Sequence, residues 1–176
     1  MTKVSTRLEQ PASAAEFLAI IEPSWTPRKG PVFLEFPLDV QAAHRDEEPF
    51  PEMSAPVLQI AEEDRVSEVV RLWNNADRPM LLIGGGVDIG TVDGVRDTLD
   101  KLSLPTMTTY NGADRIDGDA PYYLGRPNTW GQRSSNIIIQ QSDLIVALGT
   151  RLGLQQTGFN WQEFGREAKI VQVEID

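Results

Sequence analysis

The chain has 176 residues, 40% of them hydrophobic, and carries 26 Asp and Glu against 16 Lys and Arg for a net charge of -10. That is ordinary apolar content for a sizeable core, while the acidic balance disfavours a nucleic-acid binder, whose phosphate contacts need clustered basic residues. With no cysteine and one histidine, His44, disulfides, thiolate chemistry and cysteine metal sites are excluded, and a histidine triad or metal centre is disfavoured.

After a polar opening, Ser13-Ala-Ala-Glu16 reads as a capping box ahead of Phe17, Leu18, Ile20 and Ile21 at helical spacing, so one short amphipathic helix is expected. Pro23, Pro27 and Gly30-Pro31 end it, and Val32–Phe36 follows as a compact strand closed by Pro37. One helix and one strand cannot bury their apolar faces alone, so residues 1–41 read as the last piece of another α/β domain. Residues 42–55 mix charge and proline with little apolar periodicity, as linkers do. The solvated reading is preferred for His44, which lies among them.

Beyond the linker, helices and strands alternate. Glu62–Asn75 reads as a helix carrying Val66, Val69, Val70, Leu72 and Trp73, and Met80–Ile83 as a buried strand. Asp93–Leu102 reads as a helix and Leu104–Thr108 as a second strand. A Gly/Pro/Tyr-rich loop then runs from Thr109 to about Gln132. Ser134–Gln141 reads as a helix, Asp143–Gly149 as a third strand, Trp161–Phe164 as a helical turn and Lys169–Ile175 as a fourth strand. Continuously apolar strands separated by helices specify a parallel sheet covered on both faces. Residues 56–176 are therefore expected to form a doubly wound, Rossmann-like α/β domain. Because its last strand has no helix after it, the domain reads as cut before completion.

Ligands of such sheets bind beyond the carboxyl ends of the strands. The candidates are Gly84-Gly85-Gly86, Thr108-Thr109-Tyr110-Asn111-Gly112, Gly149-Thr150-Arg151 and Glu174-Ile175-Asp176, with Leu124-Gly125-Arg126-Pro127-Asn128 as a rim. The glycine run suits either close approach of a cofactor to bare backbone or a plain strand-to-helix turn. It breaks the dinucleotide fingerprint, since Ile89 stands where a third glycine belongs and Thr108-Thr109-Tyr110 ends the next strand where an acid would hold a ribose. An NAD-dependent oxidoreductase is therefore disfavoured. Arg126 and Arg151 suit phosphate oxygens through their rigid donor forks, the alternative being bridges to surface acids. Asp176 is either a ribose or base acceptor or an exposed acid. Asp117-Gly118-Asp119 reads as a turn rather than a cation loop, and Trp130 and Trp161 as packing anchors rather than base-stacking platforms.

Gly30-Pro-Val-Phe-Leu-Glu-Phe-Pro-Leu-Asp-Val-Gln41 resembles the segment that closes the pyrimidine-binding domain of thiamine diphosphate-dependent enzymes of the acetolactate synthase and pyruvate oxidase type. Residues from Pro56 onward are similar to the family's central domain: Arg78-Pro79, the glycine triplet, Leu104-Pro105, Asn111-Gly112, Leu124-Gly125, Ser142–Ile145, Leu148–Arg151 and Val173–Asp176. The resemblance implies an enzyme that decarboxylates a 2-oxo acid and ligates the remainder to a carbonyl acceptor, a transferase or lyase. Its thiamine diphosphate and magnesium would lie in other domains, so no catalytic and no metal-binding residue is expected here.

The resemblance also implies a second nucleotide site, for FAD or an ADP moiety, lined by Gly84, Gly85, Gly86, Thr108, Thr109, Leu124, Gly125, Gly149, Thr150, Arg151, Glu174, Ile175 and Asp176. FAD-binding members continue after Gly-x-Arg with an acidic, arginine-bearing segment. This chain instead reads Leu152-Gly-Leu-Gln-Gln-Thr-Gly158, a departure that suits a paralogue with another carbonyl substrate or with an empty site.

The expected partners are the remaining domains of the same enzyme and further copies of it. Nucleic acid and membrane are not expected: no stretch approaches the roughly 18 uninterrupted apolar residues of a span, and no signal pattern opens the chain, so a cytoplasmic location is expected. The competing reading is a stand-alone nucleotide-binding or subunit-interaction module without catalysis.

Overall fold

A computed structural model of the chain describes residues 2–26, 28–46, 49, 51–52 and 60–175. The chain divides into two compact units, residues 1–60 with 175–176, and residues 61–174.

In the first unit, β1 (Val4–Arg7) lies parallel to β2 (Val32–Glu35), with Val4 opposite Val32 and Arg7 opposite Glu35. Parallel neighbours need a crossover, and α1 (Ala14–Ile21) lies within it. The capping box forms: the Glu16 N–H donates to Ser13 Oγ at 3.1 Å and the Ser13 N–H to Glu16 Oε2 at 2.7 Å. The bond from the Ser13 backbone, then that from its hydroxyl, holds the Glu16 carboxyl below its ordinary range.

Two expectations need correction here. The polar opening is a strand, because Val4 and Thr6 supply a short β-branched alternation and β2 completes the ladder. Pro37 does more than close β2. Its extended backbone, φ -61° and ψ 148°, is the N-cap of α2 (Leu38–Ala42). The 42–55 linker falls partly outside the described residues, and within it the His44 side chain is fully solvated, 4.0 Å from Asp46.

The second unit contains α3 (Glu63–Asn74), β3 (Pro79–Ile83), α4 (Ile89–Leu102), β4 (Thr106–Thr108), α5 (Arg133–Gln140), β5 (Leu144–Leu148), α6 (Leu154–Thr157) and β6 (Lys169–Val173). All four strands are parallel, in the order β4-β3-β5-β6. Side chains alternate across the sheet, as the two-residue strand period requires. Leu81, Ile83, Leu144 and Val146 point to one face and pack with Val92 and Leu99 of α4 and with Val69, Leu72 and Trp73 of α3. Met80, Leu82 and Ile145 point to the other, with Ile139 of α5 and Phe164. Over β4, β3 and β5 the sheet is thus covered on both faces, the doubly wound α/β arrangement that the alternating pattern predicts, while the edge strand β6 is exposed except at Val171.

Helix α4 begins at Ile89, four residues before its expected start. The Asp88 side chain caps it by accepting from the Gly90 N–H at 2.9 Å, and Gly90 lies in its first turn rather than in the glycine loop. Its C-cap, Ser103, is left-handed at φ 47°. The loop expected from Thr109 to Gln132 is also partly ordered. Residues 122–125 run beside β4, with the Leu124 N–H donating to the Thr106 carbonyl at 2.8 Å and the Thr108 N–H to the Gly125 carbonyl at 3.1 Å.

At the opposite end of the sheet, both Asp143 oxygens receive backbone donors, Oδ2 from the Asp77 N–H at 2.8 Å and Oδ1 from the Arg78 N–H at 2.9 Å. Burial pushes the Asp143 carboxyl up, but these bonds outweigh it and hold the group below its ordinary value.

Candidate functional site

The chain leaves β3 through α4 to β4 on one side, then crosses back to β5 on the other, so its direction reverses between β3 and β5. Ligand crevices of open α/β sheets form beyond the strand ends at such a reversal. Ile83 and Leu148, opposite one another in the ladder, lead into Gly84-Gly85-Gly86 and Gly149-Thr150-Arg151.

Backbone from neighbouring turns occupies the space beside these glycines. The Gly84 N–H donates to the Leu148 carbonyl at 2.8 Å and the Gly86 N–H to the Gly149 carbonyl at 2.9 Å. A Cβ on Gly86 would stand 2.8 Å from the Gly149 carbonyl oxygen, one on Gly85 2.8 Å from that of Asn111, and one on Gly149 2.5 Å from the Val87 nitrogen. Gly149 also has φ 60°, where a side chain is strained. Turn-to-turn packing therefore accounts for glycine at each of these positions without any ligand.

The other candidates divide into closed and open groups. Thr108 is wholly buried, and its hydroxyl shares a 2.9 Å hydrogen bond with the Tyr123 hydroxyl. Thr109 is buried, and its N–H donates to the Ile83 carbonyl at 2.9 Å. Leu124 packs into the core cluster of the α5 face. Gly125, at φ 87°, is shut in by Gln132 and Ser135. Thr150 accepts the Leu152 N–H at 3.3 Å, and Leu152 is left-handed at φ 50°. Glu174 is half-buried, Ile175 is exposed and grouped with the first unit, and Asp176 lies outside the described residues.

Arg151 and Arg126 are the open members. Both are exposed and neither makes an ion pair among the described residues, so the alternative of bridges to surface acids is not what the structure shows. Trp130 is 83% exposed and Trp161 60%, which corrects the expectation that they anchor packing. Asp117-Gly118-Asp119 is the turn expected of it, with the Asp119 N–H donating to Asp117 Oδ1 at 3.1 Å.

One residue was not anticipated. Arg115, its side chain 14% exposed, donates from Nε to the Val87 carbonyl at 2.6 Å and from Nη2 to the Gly85 carbonyl at 3.2 Å, while Nη1 pairs with Asp114. Its guanidinium thus holds the carbonyls of the β3–α4 turn from the side of the turn after β4. The local sequence signal, Ala-Asp-Arg-Ile after Asn111-Gly112, is only a charged pair beside a turn, and the pairing becomes visible when β3 and β4 are set side by side.

The fold and this edge define a doubly wound α/β domain with a closed glycine turn and open arginine loops at its strand ends. Residues 66–176 match the family model described as thiamine pyrophosphate enzyme, central domain, and the chain belongs to that family. Over 150 residues it is 35% identical to the acetolactate synthase isozyme 1 large subunit of Escherichia coli K12, covering 85% of this chain and 26% of that protein. The isozyme 2 large subunit of the same organism is 31% identical over 155 residues, covering 85% and 27%. A probable acetolactate synthase large subunit of Methanocaldococcus jannaschii is 29% identical over 184 residues, covering 100% and 31%. The chain spans about a quarter to a third of the length of these relatives. Among the described residues, no helix is long and apolar enough to cross a membrane.

Proposed function

We propose that this chain is the central layer of a thiamine diphosphate-dependent carboligase or decarboxylase of the acetolactate synthase type, and that it does not itself carry the reacting groups. The observation that carries this reading is the central-domain match over residues 66–176. In the proposal, residues 1–41 are the tail of the pyrimidine-binding domain, 42–55 a linker and 56–176 the central domain. The other domains of the same cytoplasmic polypeptide complete the enzyme, which assembles from further copies. Thiamine diphosphate, with its magnesium, supplies the carbon acid that makes decarboxylation of a 2-oxo acid accessible, and both are held outside these residues.

The work assigned to this chain is to fold, to pack against the other domains and to present a nucleotide site at its strand ends. For an FAD or ADP moiety, the residues that fit are those not taken up by packing. Arg126 and Arg151 suit the diphosphate through bidentate donors, and Thr150 and the exposed Tyr110 flank the same edge. Gly84–Gly86, Thr108, Thr109, Leu124, Gly125 and Gly149 would shape the floor beneath it.

The test is to assay the complete polypeptide encoded by the reading frame for thiamine diphosphate-dependent consumption of pyruvate and other 2-oxo acids. Turnover by the complete polypeptide, absent from the 176-residue chain, is the expected outcome. Turnover by the chain alone, or none by either with any 2-oxo acid, would overturn the reading.

A further inference from the structure

The two open arginines lie on different loops. Arg126 follows the edge pairing of residues 122–125 along β4, and Arg151 follows β5. Separate loops would leave two long cationic side chains on independently moving supports, and a shared ligand would have to order both. The structure joins the loops instead. The buried Gln156 side chain donates from Nε2 to the Pro127 carbonyl. The neighbouring Gln155 carbonyl accepts twice from Thr129, from its N–H at 2.9 Å and from its hydroxyl at 3.1 Å.

Further bonds run to residues 124–128 from Gln132, the N-cap of α5, and from α5 itself. Gln132 Oε1 accepts the Arg126 N–H at 2.8 Å, Ser135 Oγ donates to the Leu124 carbonyl at 2.6 Å, and Asn136 Nδ2 donates to the Asn128 carbonyl at 3.0 Å. The Gln156 bond is buried and those from Ser135 and Asn136 are half-buried, and hydrogen bonds shielded from water in this way favour one arrangement of the loop. Gln155 and Gln156 fall within Leu152–Gly158, where the sequence departs from an acidic, arginine-bearing continuation.

We propose that Gln155 and Gln156 staple the loops after β4 and β5 into one preformed rim, and that Gln156 is a positioning residue that holds Arg126 in fixed relation to Arg151 for a nucleoside diphosphate. The ligand half of this inference rests on the proposed nucleotide site; the staple does not. Gln156 itself touches no ligand. Its effect is to remove the ordering cost that two independent loops would impose.

The exchange measurement uses the 176-residue chain in three forms: unaltered, Gln156→Leu, which keeps a similar volume without the donor, and Thr129→Val, which removes one exposed donor should the buried substitution prevent folding. Amide exchange across 126–132 is read first, with unfolding monitored in urea. The staple predicts that Gln156→Leu speeds exchange of the Thr129 and Trp130 amides about tenfold beyond any change in β3 and β5, and Thr129→Val by less, the scale of one lost hydrogen bond. Unchanged exchange in a folded Gln156→Leu chain overturns the staple, as does unchanged exchange in Thr129→Val if the first variant does not fold.

ADP is then titrated against a double-mutant cycle of Gln156→Leu with Arg126→Ala. If Gln156 acts through Arg126, its loss weakens ADP binding about three- to tenfold in the parent and almost not at all in the Arg126→Ala background. Equal losses in both backgrounds would overturn the positioning role. Faster exchange together with no ADP binding by the unaltered chain would overturn the ligand half and the nucleotide site while the staple stands.

Discussion

Both units use the parallel β-α-β arrangement, yet they differ in how much they bury. Among the described residues of the first unit, Leu8 and Val40 are the buried hydrophobic residues, α1 buries none, and Phe33, Phe36 and Leu38 are exposed. In the second unit, β3 and β5 are buried almost end to end, and the sheet has a core on each face. At about 1.5–3 kcal/mol for each fully buried large aliphatic side chain, the second unit holds nearly all the burial that opposes chain entropy. A two-stranded sheet whose inner face is only half-buried is marginal on its own. Local hydrogen bonds can be complete, as the Ser13–Glu16 box is, without making an independently stable unit.

The largest test of that contrast lies in the core. Ile145→Ala, in the cluster on the α5 face, should cost about 2–5 kcal/mol in urea unfolding, whereas Phe33→Ala in β2, where the ring is 55% exposed, should change the same transition little. Similar losses at both positions would show that the units are not unequal in this way.

Next is the closed glycine turn. Gly86→Ala places a methyl group 2.8 Å from the Gly149 carbonyl oxygen and should cost about 1–3 kcal/mol by overpacking. Gly153→Ala, with nothing within 4 Å of the new Cβ, should be nearly neutral. A neutral Gly86→Ala would mean that the turn is open and that its glycines are kept for something other than packing.

Arg115→Met keeps an aliphatic stem and removes the donors to Val87 and Gly85. A loss of about 1–2 kcal/mol is expected, with faster exchange of the amides after β3. An unchanged melting curve would make this guanidinium dispensable.

Asp143 gives a smaller effect that depends on pH. Its carboxyl is lowered in the folded chain, so the stabilisation it contributes is present above the unfolded carboxylate pKa and lost as pH falls through the lower folded value. Asp143→Asn should therefore be less stable than the parent by about 1 kcal/mol at neutral pH, and the gap should close as the solution is acidified below about pH 4. A gap independent of pH would assign the effect to shape rather than charge.

How much of this was legible in the sequence follows from how local each signal is. Apolar runs such as Met80–Ile83 and Asp143–Gly149 gave β3 and β5 within a residue or so, and the capping box placed α1. Strand β1 escaped because Val4 and Thr6 are too short an alternation to stand out until β2 is beside them. The start of α4 was obscured because the helical spacing was followed only from Asp93, although Asp88 carries its own cap signal.

At the strand ends, the rule that ligands sit beyond the carboxyl ends identified the edge. It could not separate glycines needed for packing from glycines offered to a ligand, since that depends on what stands a few ångströms away. Arg115, Gln155 and Gln156 act through partners about 26 to 30 positions distant, beyond the reach of any local pattern.

In the proposed reading these residues form the layer beside the reaction centre and not the centre itself. Calorimetric titration of the 176-residue chain with thiamine diphosphate and magnesium, and separately with ADP, decides between the two. ADP is expected to bind below about millimolar and thiamine diphosphate not measurably. Saturable binding of thiamine diphosphate without binding of ADP would contradict that reading.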